Sequence, residues 1–142
     1  MPEAELSHGV DEQRFFETQS PIPRTEALET MAHLHHGVLP AFRLANLGLL
    51  ADSLAKLSQI GFKRREIDRC GSTVSSLLGE LHAKGYAAGM SSMGPLVYVV
   101  IAGDNPAAAA AVAAICAAHG AAWSGIHAGQ NRGASVRRTV AR

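Results

Sequence analysis

Gly89-Met90-Ser91-Ser92-Met93-Gly94-Pro95 places two adjacent hydroxyls between glycines, directly ahead of the apolar run Leu96-Val97-Tyr98-Val99-Val100-Ile101. Glycine lets a ligand approach the backbone closely, and successive amides can form an anion-binding concavity. The chemistry such a loop offers is contact with phosphate or carboxylate oxygens. It is not the Gly-x-Ser-x-Gly elbow of a serine nucleophile, because the second glycine falls at the wrong offset. The plain alternative is a hairpin turn, although the loop is longer than a tight hairpin needs. A second polar loop, Gly129-Gln130-Asn131-Arg132-Gly133-Ala134, brings Arg132 as a candidate phosphate contact and Asn131 as a turn former, or is an ordinary turn. His33, His35 and His36 are clustered, but no carboxylate or cysteine stands at ligand spacing, so no metal site is expected. Cys70 and Cys116 make neither a disulfide framework nor a zinc motif.

The 13 basic and 12 acidic residues of this 142-residue chain nearly cancel, which argues against general attraction to nucleic acid or membrane. The basic residues still gather at Lys63-Arg64-Arg65 and at Arg132, Arg137, Arg138 and Arg142, readable as a solvated corner and tail or as phosphate contacts. The N-terminal residues lack the basic and apolar regions of a signal peptide. The alanine-rich run Ala107 to Ala118 is too short to span a bilayer. A reducing, cytoplasmic location is expected.

These loops need elements to hold them. The first twenty residues are polar and poorly periodic, and Ser20-Pro21-Ile22-Pro23 is a stiff connector. A helix is predicted to begin near Pro23 to Thr25, with an inward stripe of Leu28, Met31, His35, Val38 and Phe42 broken around Gly37 and Pro40. Asn46 should cap a second helix with Leu47, Leu50, Leu54 and Leu57 on one face, stopping at Gly61. A third should start at Gly71-Ser72, bury Val74, Leu77, Leu78 and Leu81, and end at Gly85. Strands follow at Tyr86 to Met90 and Leu96 to Ala102, the latter expected to be central and covered on both faces. Asp104-Asn105-Pro106 starts a helix that ends at His119-Gly120, and a last strand is expected over Ala121 to Ala128. The fold class predicted is α+β, with helices packed on one face of a small antiparallel sheet. The expected divisions are an N-terminal polar segment and connector over 1–23, a domain over 24–136 and a basic tail over 137–142.

The Gly89 to Pro95 loop resembles the third conserved motif of the GHMP-kinase superfamily, in the Gly-x-Ser-Ser-x-Gly-Pro form of the β-ribofuranosylaminobenzene 5′-phosphate synthase (β-RFAP synthase) family. The likeness extends along the chain. Leu6-Ser7-His8-Gly9-Val10-Asp11-Glu12 with Phe15-Phe16 is similar to that family's Leu-Ser-Gly-x-x-Glu segment and paired phenylalanines. Pro21-Ile22-Pro23, Val38-Leu39-Pro40-Ala41, Ile60-Gly61-Phe62-Lys63 and the terminal Asn131-x-Gly133-Ala134 continue it.

This resemblance implies a GHMP-kinase C-terminal-like domain. It also implies a transferase of methanopterin biosynthesis and C1 metabolism that joins a 4-aminobenzoate-type acceptor to phosphoribosyl pyrophosphate, releasing CO2 and pyrophosphate. Carried over residue by residue, Gly89, Met90, Ser91, Ser92, Gly94 and Pro95 would bind the phosphorylated substrate. No cofactor is implied for this chain, with Mg2+ a candidate for the complete enzyme. Two departures accompany the resemblance. Met93 stands where the family more often has an aromatic, and the family's N-terminal half, which carries the main phosphate loop, has no counterpart. The expectation is therefore a chain inactive without a complementary N-terminal half. Self-association or aggregation is also expected, with a homodimer the mildest outcome, because Leu96 to Ala102 would present an open strand edge. The other readings are the C-terminal domain of a GHMP-type small-molecule kinase and a non-catalytic, stand-alone binding module.

Overall fold

The computed structural model describes residues 9–92, 94–103, 105–129 and 133. Helix α1 (Val10–Gln19) is followed by α2 (Arg24–His33), which runs through a π-helical turn (Leu34–Val38) into the short α3 (Leu39–Arg43). Next come α4 (Leu47–Leu57), α5 (Gly61–Arg69) and α6 (Ser72–Ala83), then strands β1 (Ala87–Met90) and β2 (Val97–Val100), and last α7 (Pro106–Ala118). The α+β class holds: the strands pair antiparallel, with Ala87 opposite Val100 and Met90 opposite Val97.

Local chemistry explains most of these boundaries. The Asn46 side chain accepts from the Leu49 amide and starts α4, and Asn105 does the same for Ala108 at the head of α7, where Pro106 needs no amide partner. The break expected near Gly37 and Pro40 is the π-helical turn and the restart at Leu39.

Two apolar clusters meet at the sheet. Alternation along β1 sends Ala88 and Met90 into one, with Ile67 of α5, Val74, Leu77, Leu78 and Leu81 of α6, and Val112 and Ile115 of α7. Ala87 joins the other, with Val38, Ala41, Leu50 and Ala51. Helices thus flank β1 on both faces, while β2 is only half-buried, so the strand expected to be fully covered is β1 rather than β2.

Other expectations are corrected. The segment read as aperiodic contains α1, anchored because Phe15 and Phe16 pack on Phe62 of α5 with centroids 5.4 and 5.0 Å away. Gly61 does not end α4 but opens α5, a helix too rich in charge to show an apolar stripe. Ala121 to Gly129 is irregular rather than a strand. Of the α2–α3 stripe only Val38 is buried as expected. Leu28, Met31 and Phe42 are 54%, 53% and 62% exposed, and His35 is exposed too.

The inward positions of this first helical stretch are small instead. A methyl group added at Gly37 would collide with the Ser53 hydroxyl of α4, and one at Gly61 would lie 2.9 Å from Thr30 Oγ1 of α2. Close helix approach through small residues leaves the large apolar side chains outside.

Candidate functional site

The Ser91–Leu96 connection joins β1 to β2 over the N-terminal turn of α5. Its ends are closed by its own backbone: the Ser91 amide donates to the Leu96 carbonyl at 2.8 Å, and the Gly94 amide to the Ser91 carbonyl at 2.8 Å. These two amides are therefore spent, and they are not part of the free-amide cradle that the sequence invited. Ser92 adopts φ 28°, and Gly94 has φ 69° ahead of a cis Pro95 bond. What the loop offers outward is its hydroxyl residues, since Ser91 and Ser92 are both exposed.

The other expected site residues divide by role. Gly89 lies opposite Tyr98, whose ring crosses it so closely that a Cβ there would stand 2.5 Å from the phenol oxygen. Burial pushes the Tyr98 phenol up from its ordinary range. Met90 is buried in the core, where its Sδ and the Cys70 Sγ close around Gly94. Burial, reinforced by the Glu66 carboxylate, pushes the Cys70 thiol up, away from thiolate chemistry. Pro95 is half-buried and lines a groove of about 1300 Å³ together with Leu96, Val97, Val99, the Cys70–Val74 segment and Trp123. Asn131 and Arg132, the candidate phosphate contacts of the second loop, lie outside the described residues, as does Met93.

The structure adds Lys63, which the sequence places in a basic cluster readable as a solvated corner or as phosphate contacts, and Glu66, which the sequence does not single out. Lys63, in the first turn of α5, donates to the carbonyls of Met90 at 3.4 Å and Ser92 at 3.3 Å. Its ammonium also meets Glu66 Oε2 at 2.5 Å, and Glu66 is only 6% exposed. Without α5 in view, the spacing of Lys63 and Glu66 carries no signal, and the tie of Lys63 to the loop spans 27 to 29 residues of sequence.

The neighbouring cations are occupied elsewhere. Arg65 makes a forked pair with Glu26 at 2.7 and 3.3 Å and donates to the Gly61 carbonyl at 2.6 Å, while Arg64 faces Asp68 at 3.6 Å. The Arg65 guanidinium holds the Glu26 carboxyl below its usual range. These arginines lock α5 to α2 and along itself rather than pointing a free charge at the loop.

Comparison with known proteins found two similar proteins. The chain is 34% identical over 99 residues, 69% of its length, to a beta-ribofuranosylphenol 5′-phosphate synthase of Methanocaldococcus jannaschii. It is 26% identical over 100 residues, 70% of its length, to a protein of the same name from Archaeoglobus fulgidus. The matched stretch covers 30% and 31% of those proteins, so the chain spans about a third of the length of the curated relatives it matches. No family model matches the chain, and no solved structure does. The resemblance read from the sequence is borne out as similarity to a part of these synthases. Among the described residues, no helix is long and apolar enough to cross a membrane.

Proposed function

We propose, taking the similarity to part of the two archaeal synthases as the premise, that this chain is the C-terminal, substrate-binding part of a β-RFAP synthase-like transferase. The observation that carries the reading is the 34% identity over 99 residues to a protein named for making a ribofuranosylphenol 5′-phosphate. Such a product requires a ribose 5′-phosphate donor and an aromatic acceptor. In the reaction the resemblance implies, the ring carbon bearing the acceptor's carboxylate bonds to the ribose anomeric carbon. Pyrophosphate leaves the donor, and the carboxylate leaves as CO2. The para substituent of the acceptor is amino in the family's namesake and hydroxyl in the product the relatives are named for.

The Ser91-Ser92 loop supports this reading as an oxygen-binding element. Exposed hydroxyls on a backbone closed at both ends can donate to phosphate oxygens with little reorganisation. The groove beside Pro95 and Leu96 has an apolar wall on which an aromatic ring can rest. The rest of the cleft belongs to the part of such a synthase outside the matched stretch.

Purified chain, alone and co-expressed with the portion of the Methanocaldococcus jannaschii synthase outside the matched stretch, tests the reading. The readout is release of labelled CO2 from carboxyl-labelled 4-aminobenzoate or 4-hydroxybenzoate in the presence of phosphoribosyl pyrophosphate. The expected result is no release by the chain alone and release by the pair. Turnover by the chain alone contradicts the need for a second part. A co-purifying pair that binds donor but releases nothing contradicts the assignment of the reaction.

A further inference from the structure

We propose that Lys63, anchored by the buried Glu66, is the positioning residue of the Ser91-Ser92 loop. An ammonium has three donors and no acceptor. Here three acceptors surround it: Glu66 Oε2 at 2.5 Å, the Ser92 carbonyl at 3.3 Å and the Met90 carbonyl at 3.4 Å. Its donor capacity is filled by protein, and its charge is matched by a carboxylate that has almost no water of its own. Lys63 is therefore not an uncommitted cation waiting for a phosphate, as its place in a basic cluster suggests.

Its two carbonyl contacts bracket Ser91, one on each side, and tie the first half of the loop to α5. Rotation of either peptide to bring a carbonyl outward would break a charge-assisted bond and leave Glu66 buried beside a misplaced partner. Lys63 thereby holds the Met90 and Ser92 carbonyls, which would repel an anion, on the α5 side. The exposed Ser91 and Ser92 remain on the solvent side. The cation is placed against the favoured end of the dipole, in the first turn of its helix, and the Glu66 partner offsets that cost.

The role in ligand binding rests on the reading given under Proposed function; the role in loop geometry does not. The experiment separates them by following amide hydrogen exchange and the binding of inorganic pyrophosphate and phosphoribosyl pyrophosphate in the full chain. It uses the wild type, Lys63→Met, Lys63→Arg and Glu66→Gln.

Lys63→Met is expected to speed exchange at the Ser91 and Gly94 amides by about tenfold or more, with α6 amides unchanged. It should also weaken binding of both probes by about tenfold, and Lys63→Arg should recover most of each effect. Unaltered exchange at Ser91 and Gly94 in a folded Lys63→Met chain overturns the proposal. If Lys63→Met unfolds the chain, Glu66→Gln decides: accelerated exchange at the loop supports the strut, and native exchange there refutes it. Accelerated exchange in Lys63→Met together with no binding of either probe by the wild type supports the strut and refutes the phosphate-ligand reading.

Discussion

Replacing Gly94 with alanine should destabilise the protein by about 2–5 kcal/mol, from two separable causes. Gly94 has φ 69°, in the left-handed region where a Cβ crowds its own backbone at a cost of roughly 1–2 kcal/mol. The added methyl would also stand 2.7 Å from Cys70 Sγ and 2.8 Å from Met90 Sδ. Met90 belongs to the main core and Cys70 packs against it, so a shift of either sulfur disturbs the packing of that core. Overpacking of that kind costs about 1–3 kcal/mol.

Urea unfolding followed by circular dichroism is the assay. With a slope of about 1–3 kcal/mol per molar, the midpoint should fall by about 1 M or more. The double variant Gly94→Ala with Cys70→Ala separates the causes. Removing the sulfur should recover the Cys70 share of the crowding, so Gly94→Ala costs less in the Cys70→Ala background by about 1 kcal/mol. A single variant within about 0.5 kcal/mol of wild type refutes the reasoning, because it would mean the loop opens at Gly94 without cost. Equal costs in both backgrounds would refute the Cys70 contact while keeping the left-handed strain.

In the complemented enzyme, Ser91→Ala with Ser92→Ala is expected to lower turnover by about 10²-fold, if the hydroxyls stabilise developing charge, while stability shifts by no more than about 0.5 kcal/mol. Unchanged kinetics with a lower melting temperature would mark the pair as turn formers only. The Glu80–His119 contact, at 2.7 Å between α6 and the end of α7, gives a pH dependence. The His119 hydrogen bond is the chief cause that holds the Glu80 carboxyl below its usual range. A carboxyl with its folded pKa depressed adds stability above its unfolded value, and that contribution is lost as pH falls through the folded value. Melting temperature scanned from pH 6 downward should therefore fall in the acid range, and Glu80→Gln should flatten that limb. An identical acid limb in Glu80→Gln removes the contact from the account.

Legibility in the sequence tracked how local the determining interaction is. The caps at Asn46 and Asn105 and the buried stripe of α6 depend on residues within one turn, and the structure reproduces them. Helix α5 was hidden because its inward residues are Gly61, Glu66 and Ile67, a face that has no apolar period. The α2–α3 stripe holds only at Val38, because packing there is set by backbone approach at Gly37 and Gly61, which favours small side chains that hydrophobicity ignores. Among the described residues, Ala121 to Gly129 forms no ladder with β2, and alternation around Trp123 and Ile126 does not supply a partner. The loop of the candidate site was legible from its composition. Its support by Lys63 was not, because that contact exists only once α5 is laid against the β1–β2 connection.

Backbone amide shifts of the isotopically labelled chain, titrated with phosphoribosyl pyrophosphate, test the central claim most directly. The account predicts saturable changes centred on Ser91, Ser92 and Gly94 and extending to Lys63 and Glu66, with α4 and α7 unaffected. Saturable changes centred elsewhere, or none at all up to millimolar donor, would contradict a substrate-binding role for this loop.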